Sequence, residues 1–180
     1  MRKQQGAASN LSRREIIDAR LHSLLVVLAL WLIATSPWVS MFRRFPAEPG
    51  FFDYAHVVAG GLALLGAVVY FVTVTQAARW KWFFPWAAGE TGAMARDLTG
   101  VLQGRVPAAD GPGLYGAIKG LLLLALLATA LTGAAWYVAQ GSHAAITFRD
   151  WHTAAVRVLI ILLLVHVAAV ASHLVELLRD

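Results

Sequence analysis

The sequence predicts an all-α protein, a membrane four-helix bundle in up-down-up-down order with both termini cytoplasmic, on three observations. First, 59% of its 180 residues are hydrophobic and only 14% charged, with a mean hydropathy of +0.64, whereas soluble domains carry about 25% charged residues. Second, the chain holds four long apolar runs, Leu21–Phe42, Phe51–Ala78, Tyr115–Ala139 and Trp151–Leu178, each long enough to cross the hydrocarbon core as a helix. Third, the cations are distributed by side. Eleven lie before the first run, in or beside the segment between the second and third, or after the fourth; three (Arg43, Arg44, Arg149) lie in the other two loops, and Arg157 lies inside a run. Cytoplasmic loops carry the excess of Lys and Arg. The net charge of +5 is therefore a topology signal and argues against nucleic acid as a partner.

In chain order, residues 1–20 read as a polar cytoplasmic segment that turns helical near "SRREIIDAR", and residues 21–180 as one four-span domain. About 20 polar residues precede the first span and no small-x-small site follows it, so it reads as a retained helix rather than a cleaved leader. Prolines and an Arg pair in "SPWVSMFRRFPAEPG" mark the outer end of that span. A cytoplasmic loop at about 79–114 contains a short helix through "GAMARDLTGVLQ" and offers a docking or ligand-binding surface. Most of the seven tryptophans fall near span ends, as interfacial aromatics do. There is no cysteine, which excludes disulfides, thiolate-held iron–sulfur clusters and a C-x-x-C-H site for covalent haem. Any metal or cofactor must be held by nitrogen or oxygen.

The histidines carry the chemistry. Polar side chains in a span are costly and mark functional positions. With alternating span directions, His56 and His152 come near the outer face, while His22 lies near the inner end of the first span. His166 follows His152 by 14 residues, about 21 Å along a helix and about 40° around it, so the two share a face. His173 is a rival to His166: a depth matched to His22 falls at residue 170, four beyond one and three before the other. Two opposed imidazoles at each of two depths suit two b haems, each held by a histidine pair between helices. Gly60, Gly61 and Gly66 on the second span and Gly120 and Gly133 on the third give a backbone or a porphyrin face room to approach. Arg20 and Arg149 are candidate partners for haem propionates, Arg157 a snorkelling cation, and His143 a solvated loop residue.

The set of His22, His56, "WH" at 151–152 and His166, with "GPGLYGAIKGLLLLALLATALTG" opening the third span, resembles the di-haem cytochrome b subunit (gamma subunit) of membrane-bound formate dehydrogenases, within the cytochrome b561-like group. The resemblance covers residues 15–180 and its spacing favours His166 over His173. It implies a multi-pass protein of the bacterial inner membrane with two b haems, held by His56–His152 outside and His22–His166 inside. It also implies an iron–sulfur subunit and a large catalytic subunit as partners, and a quinone site near Gly113, Tyr115, Lys119 and His166. Gly116 stands where the family has Asn, the family's Gln is missing, and Ser23 follows His22 where Trp is common.

The expected role is electron transfer from an extracytoplasmic dehydrogenase to membrane quinone. Bis-histidine iron has no open position, which argues against oxygen activation. The alternatives are a stand-alone cytochrome b561-type oxidoreductase, a hydrogenase-type cytochrome b subunit and, less favoured, a transporter or structural anchor. Apart from Glu176 near the end, the spans are read as lacking acidic residues, which counts against a proton relay.

Overall fold

A computed structural model of the chain describes residues 13–76, 79–107 and 111–178. The first residues of the polar segment, with Arg2 and Lys3, and Arg179 at the other end lie outside the described residues. The elements are α1 (Arg13–Thr35), a 3₁₀ turn (Ser36–Trp38), α2 (Phe51–Thr75), α3 (Trp80–Phe83), α4 (Thr91–Leu102), α5 (Leu114–Val138) and α6 (Ala144–Leu177), with no strand among the described residues. α1, α2, α5 and α6 are each long and apolar enough to span a bilayer. α1 packs on α2, α2 on α5, and α5 most extensively on α6. Large side chains on the outside, such as Val27, Leu65, Ile161 and Leu164, are more than 60% exposed, as on a surface that meets lipid.

Two helices differ from the sequence expectation. α1, which is helical from Arg13 as "SRREIIDAR" suggested, stops at Thr35 rather than Phe42, and α6 begins at Ala144 rather than Trp151. Apolar runs trace only the lipid-facing stretch, whereas the hydrogen-bond ladder continues into polar flanks that are good helix formers. α1 stops early because Pro37 has no N–H to give, and the chain tightens into the 3₁₀ turn around it. Carboxylates that are not exposed stand within two of these helices, Asp18 in α1 and Asp53 in α2, which corrects the reading of the spans as free of acid apart from Glu176.

Both ends of the bundle are closed by the chain itself. At the outer end, residues 39–50 are strapped across to the α5–α6 turn. Trp136 Nε1 donates to the Phe42 carbonyl at 2.8 Å, Gly141 N to the Arg43 carbonyl at 3.0 Å, and Phe45 N to Gln140 Oε1 at 3.1 Å. Gly141 makes the reversal with φ of 82°, a left-handed conformation that favours glycine. Asp53, 6% exposed, accepts from Ser40 N at 2.8 Å through Oδ1 and from Gly50 N at 2.9 Å through Oδ2. One carboxylate therefore pins both ends of this loop.

At the inner end the expected short helix is present as α4, but the start of the loop is tucked in. Phe83 and Phe84 pack with Val74 and Leu123 into a buried cluster. A Cβ on Gly116 would strike the Trp82 carbonyl, and one on Gly120 the Phe83 carbonyl, so these two glycines admit the backbone of α3 against α5. Asp97 on α4 accepts from Leu114 N at 2.8 Å, capping the first turn of α5.

Candidate functional site

The outer third of the bundle holds a cavity of about 530 Å³ between the α1–α2 and α5–α6 pairs. His56 on α2 and His152 on α6 both line it and lie within electrostatic reach of each other. Gly60 and Gly61 form part of its wall, with open space where their side chains would stand. Val39, Met41 and Phe45 of the strapped loop also line it. The lining is mostly apolar, a setting in which every buried polar atom must find a partner.

His152 has one. Its Nδ1–H donates to the Thr129 carbonyl at 2.9 Å, because a carbonyl can only accept, and this leaves Nε2 as the ring's free lone pair. Fixing one nitrogen in this way orients the other as a metal ligand. Gly133 makes the arrangement possible: a Cβ there would lie 3.1 Å from His152 Nδ1 and Cε1. His56 Nδ1, by contrast, is buried with no hydrogen-bond partner, a vacancy that costs about 1–3 kcal/mol unless something supplies a partner.

At the inner end, His22 on α1, His166 on α6 and Lys119 on α5 are within electrostatic reach of one another. His166 Nδ1 is also buried without a partner. His22 is exposed and its ring lies 6.2 Å from that of Tyr70. Tyr115 stacks on His166 at 5.8 Å and meets His173 edge-on at 5.3 Å. Lys119 Nζ sits 4.8 Å over the Tyr115 ring and 5.7 Å over that of Phe83, within cation–π range.

The remaining residues singled out in the sequence fall as follows. Arg20 is exposed on α1, and Arg149 is engaged with its neighbour Asp150 at 2.9 Å; neither lines the outer cavity. Gly113 caps α5, and a Cβ there would collide with the Asp97 carboxylate. Gly66 admits Leu25 of α1. Arg157 and His143 are both exposed. Sequence reasoning missed Asp18: its carboxylate is 12% exposed, pairs with Arg79 Nη1 at 2.6 Å and keeps Oδ1 buried without a hydrogen-bond partner. The signal was its place four residues before His22, on the same face of one helix. It also missed Thr129, whose contribution is a backbone carbonyl that no side-chain pattern reveals.

Four antiparallel apolar helices with His56 and His152 on the walls of one internal cavity are the arrangement a membrane-embedded cytochrome b requires. The family comparison gives the same answer: residues 15–179 match the model of the prokaryotic cytochrome b561 family, and the chain belongs to it. No curated protein and no solved structure matches it. Membership makes the chain a multi-pass protein of the bacterial inner membrane and a transmembrane electron-transfer protein that binds b haem. The side chains fit that group. An unpartnered His56 nitrogen, an oriented His152 and side-chain-free Gly60 and Gly61 meet in one apolar cavity, which is what a planar macrocycle held by two imidazoles needs.

Proposed function

We propose that the chain is the di-haem subunit of a formate dehydrogenase-like complex. In this reading it passes electrons from an extracytoplasmic large catalytic subunit, by way of an iron–sulfur subunit, to quinone in the bilayer. The observation that supports it is the grouping of four histidines at two levels, His56 and His152 on the walls of the outer cavity and His22 within electrostatic reach of His166 at the inner end. Bound haem supplies a one-electron carrier whose potential answers to its axial ligands and surroundings.

The chain's own residues do the rest. His56 and His152 would hold the outer haem, with the Thr129 carbonyl setting the His152 tautomer and Gly60 and Gly61 leaving room for the ring. His22 and His166 would hold the inner one. Arg20 and Arg149, near the inner and outer ends, are the cations assigned to propionates. Tyr115, Lys119 and His166, with the Gly113 turn beneath them, form a wall of aromatic rings and one cation. A flat, carbonyl-bearing quinone suits such a wall. Protons taken up from the cytoplasm would make each quinone reduced move charge across the membrane.

The test is reduction of the haems by a quinol, with and without a hydroxyquinoline N-oxide inhibitor, in the purified protein and in Lys119→Ala. The inhibitor is expected to perturb only the His22–His166 spectral component. Lys119→Ala should weaken its binding about tenfold, the loss of one charge-assisted hydrogen bond. Perturbation confined to the His56–His152 component would put quinone on the opposite face and overturn the proposed direction.

A further inference from the structure

His173 belongs to neither histidine pair, yet it is not an idle surface residue. Its Nε2 is buried and has no hydrogen-bond partner. Its ring stands edge-on to Tyr115 at 5.3 Å, and the same Tyr115 stacks on His166 and carries Lys119 Nζ over its face. Along α6, His173 lies seven residues beyond His166, about 10 Å nearer the cytoplasmic end. His166, Tyr115 and His173 thus form one continuous wall between α5 and α6, with an unanswered ring nitrogen at its cytoplasmic end. Histidine is the side chain suited to carrying a proton near neutral pH.

We propose that His173 is a catalytic residue for quinone reduction: its Nε2 hydrogen-bonds one carbonyl oxygen of a quinone lying against Tyr115 and donates the proton that oxygen acquires. This rests on the inner-end quinone reading above. Quinone takes two electrons, delivered singly from the dehydrogenase through this subunit, and two protons. One proton passes from the His173 imidazolium to the nearer oxygen, and the resulting neutral ring takes a replacement from cytoplasmic water. Water at the inner face protonates the other oxygen. Both carbonyl C=O bonds become C–O–H, and quinol leaves into the bilayer.

The experiment compares wild type, His173→Gln and His173→Phe in the purified protein. Haem content is measured first, then the spectral shift of the inner component on titration with the hydroxyquinoline N-oxide, then the rate at which decylubiquinone re-oxidises the pre-reduced haems. His173→Gln keeps a hydrogen-bond donor but carries no labile proton. It should retain both haems and the inhibitor shift while re-oxidation slows about 100-fold, the low end for loss of a general acid. His173→Phe should also bind the inhibitor about tenfold more weakly. Wild-type re-oxidation in His173→Gln, with the inhibitor shift intact, overturns this inference and leaves the quinone reading standing. Loss of the inner haem in His173→Gln overturns it too, by making His173 an iron ligand. An inhibitor that leaves the wild-type inner component unshifted overturns the quinone reading and this inference together.

Discussion

The Nδ1–H of His152 donates to the Thr129 carbonyl at 2.9 Å, across a gap that exists because residue 133 is glycine. Sequence, packing and chemistry meet in that contact. A missing side chain on α5 lets the α6 imidazole lie against the α5 backbone, the backbone fixes its tautomer, and the free nitrogen is left for a metal. Thr132 Oγ1 lies 3.5 Å from the same Nδ1, too long to compete with the carbonyl.

Gly133→Val should therefore push the His152 ring out of its notch. The expected outcome is loss of the outer haem component with the inner one retained, and a stability cost of about 1–3 kcal/mol from overpacking. Haem content and low-temperature difference spectra read the first; thermal denaturation in detergent reads the second. An unchanged outer spectrum would mean that the ring has room this geometry denies it.

Asp53 gives a second expectation. Its two oxygens hold the two ends of the 39–50 loop, and that loop walls the outer cavity. Asp53→Ala leaves the Ser40 and Gly50 N–H groups without acceptors, at about 1–3 kcal/mol. Hydrogen exchange should accelerate across residues 40–50 and stay unchanged in α5. Asp53→Asn should fall between, since an amide oxygen can replace only one of the two acceptors.

Gly120→Ala and Gly116→Ala probe the inner end. At either position a methyl group meets the carbonyl of α3, and backbone cannot swing aside as a flexible side chain can. Each should destabilise the protein by about 1–3 kcal/mol. They should also raise the exposure of Trp80 and Trp82, seen as a red shift in tryptophan emission. Gly60→Ala and Gly61→Ala, which face open space, should leave the unbound protein's stability within about 1 kcal/mol.

Much of this was legible in the sequence, for identifiable reasons. The spans were visible because lipid demands long apolar runs, and α4 because helix formers sit between glycines. The common depth of His56 and His152, which both line the outer cavity, followed from span direction alone. The glycines could be recognised as points of close approach, but not their partners. Gly133 admits an imidazole, Gly66 admits Leu25, and Gly120 admits the backbone of Phe83, three outcomes that one residue type permits equally. Asp18 was hidden because hydropathy starts the first span at Leu21 and leaves residue 18 in a polar flank, whereas the fold brings its carboxylate against Arg79. The loop strapped over the outer cavity was hidden because its bonds are made by backbone groups and by Trp136 and Gln140, residues whose types suggest only an interface.

The central claim is that four histidines hold two b haems in two pairs. The most direct measurement is the pyridine haemochrome ratio per chain, with reduced-minus-oxidised spectra, in wild type and in His22→Ala, His56→Ala, His152→Ala and His166→Ala. Wild type should hold two non-covalent b haems. His56→Ala and His152→Ala should remove one and the same component, and His22→Ala and His166→Ala the other. One haem per chain, or His56→Ala and His152→Ala removing different components, would contradict it.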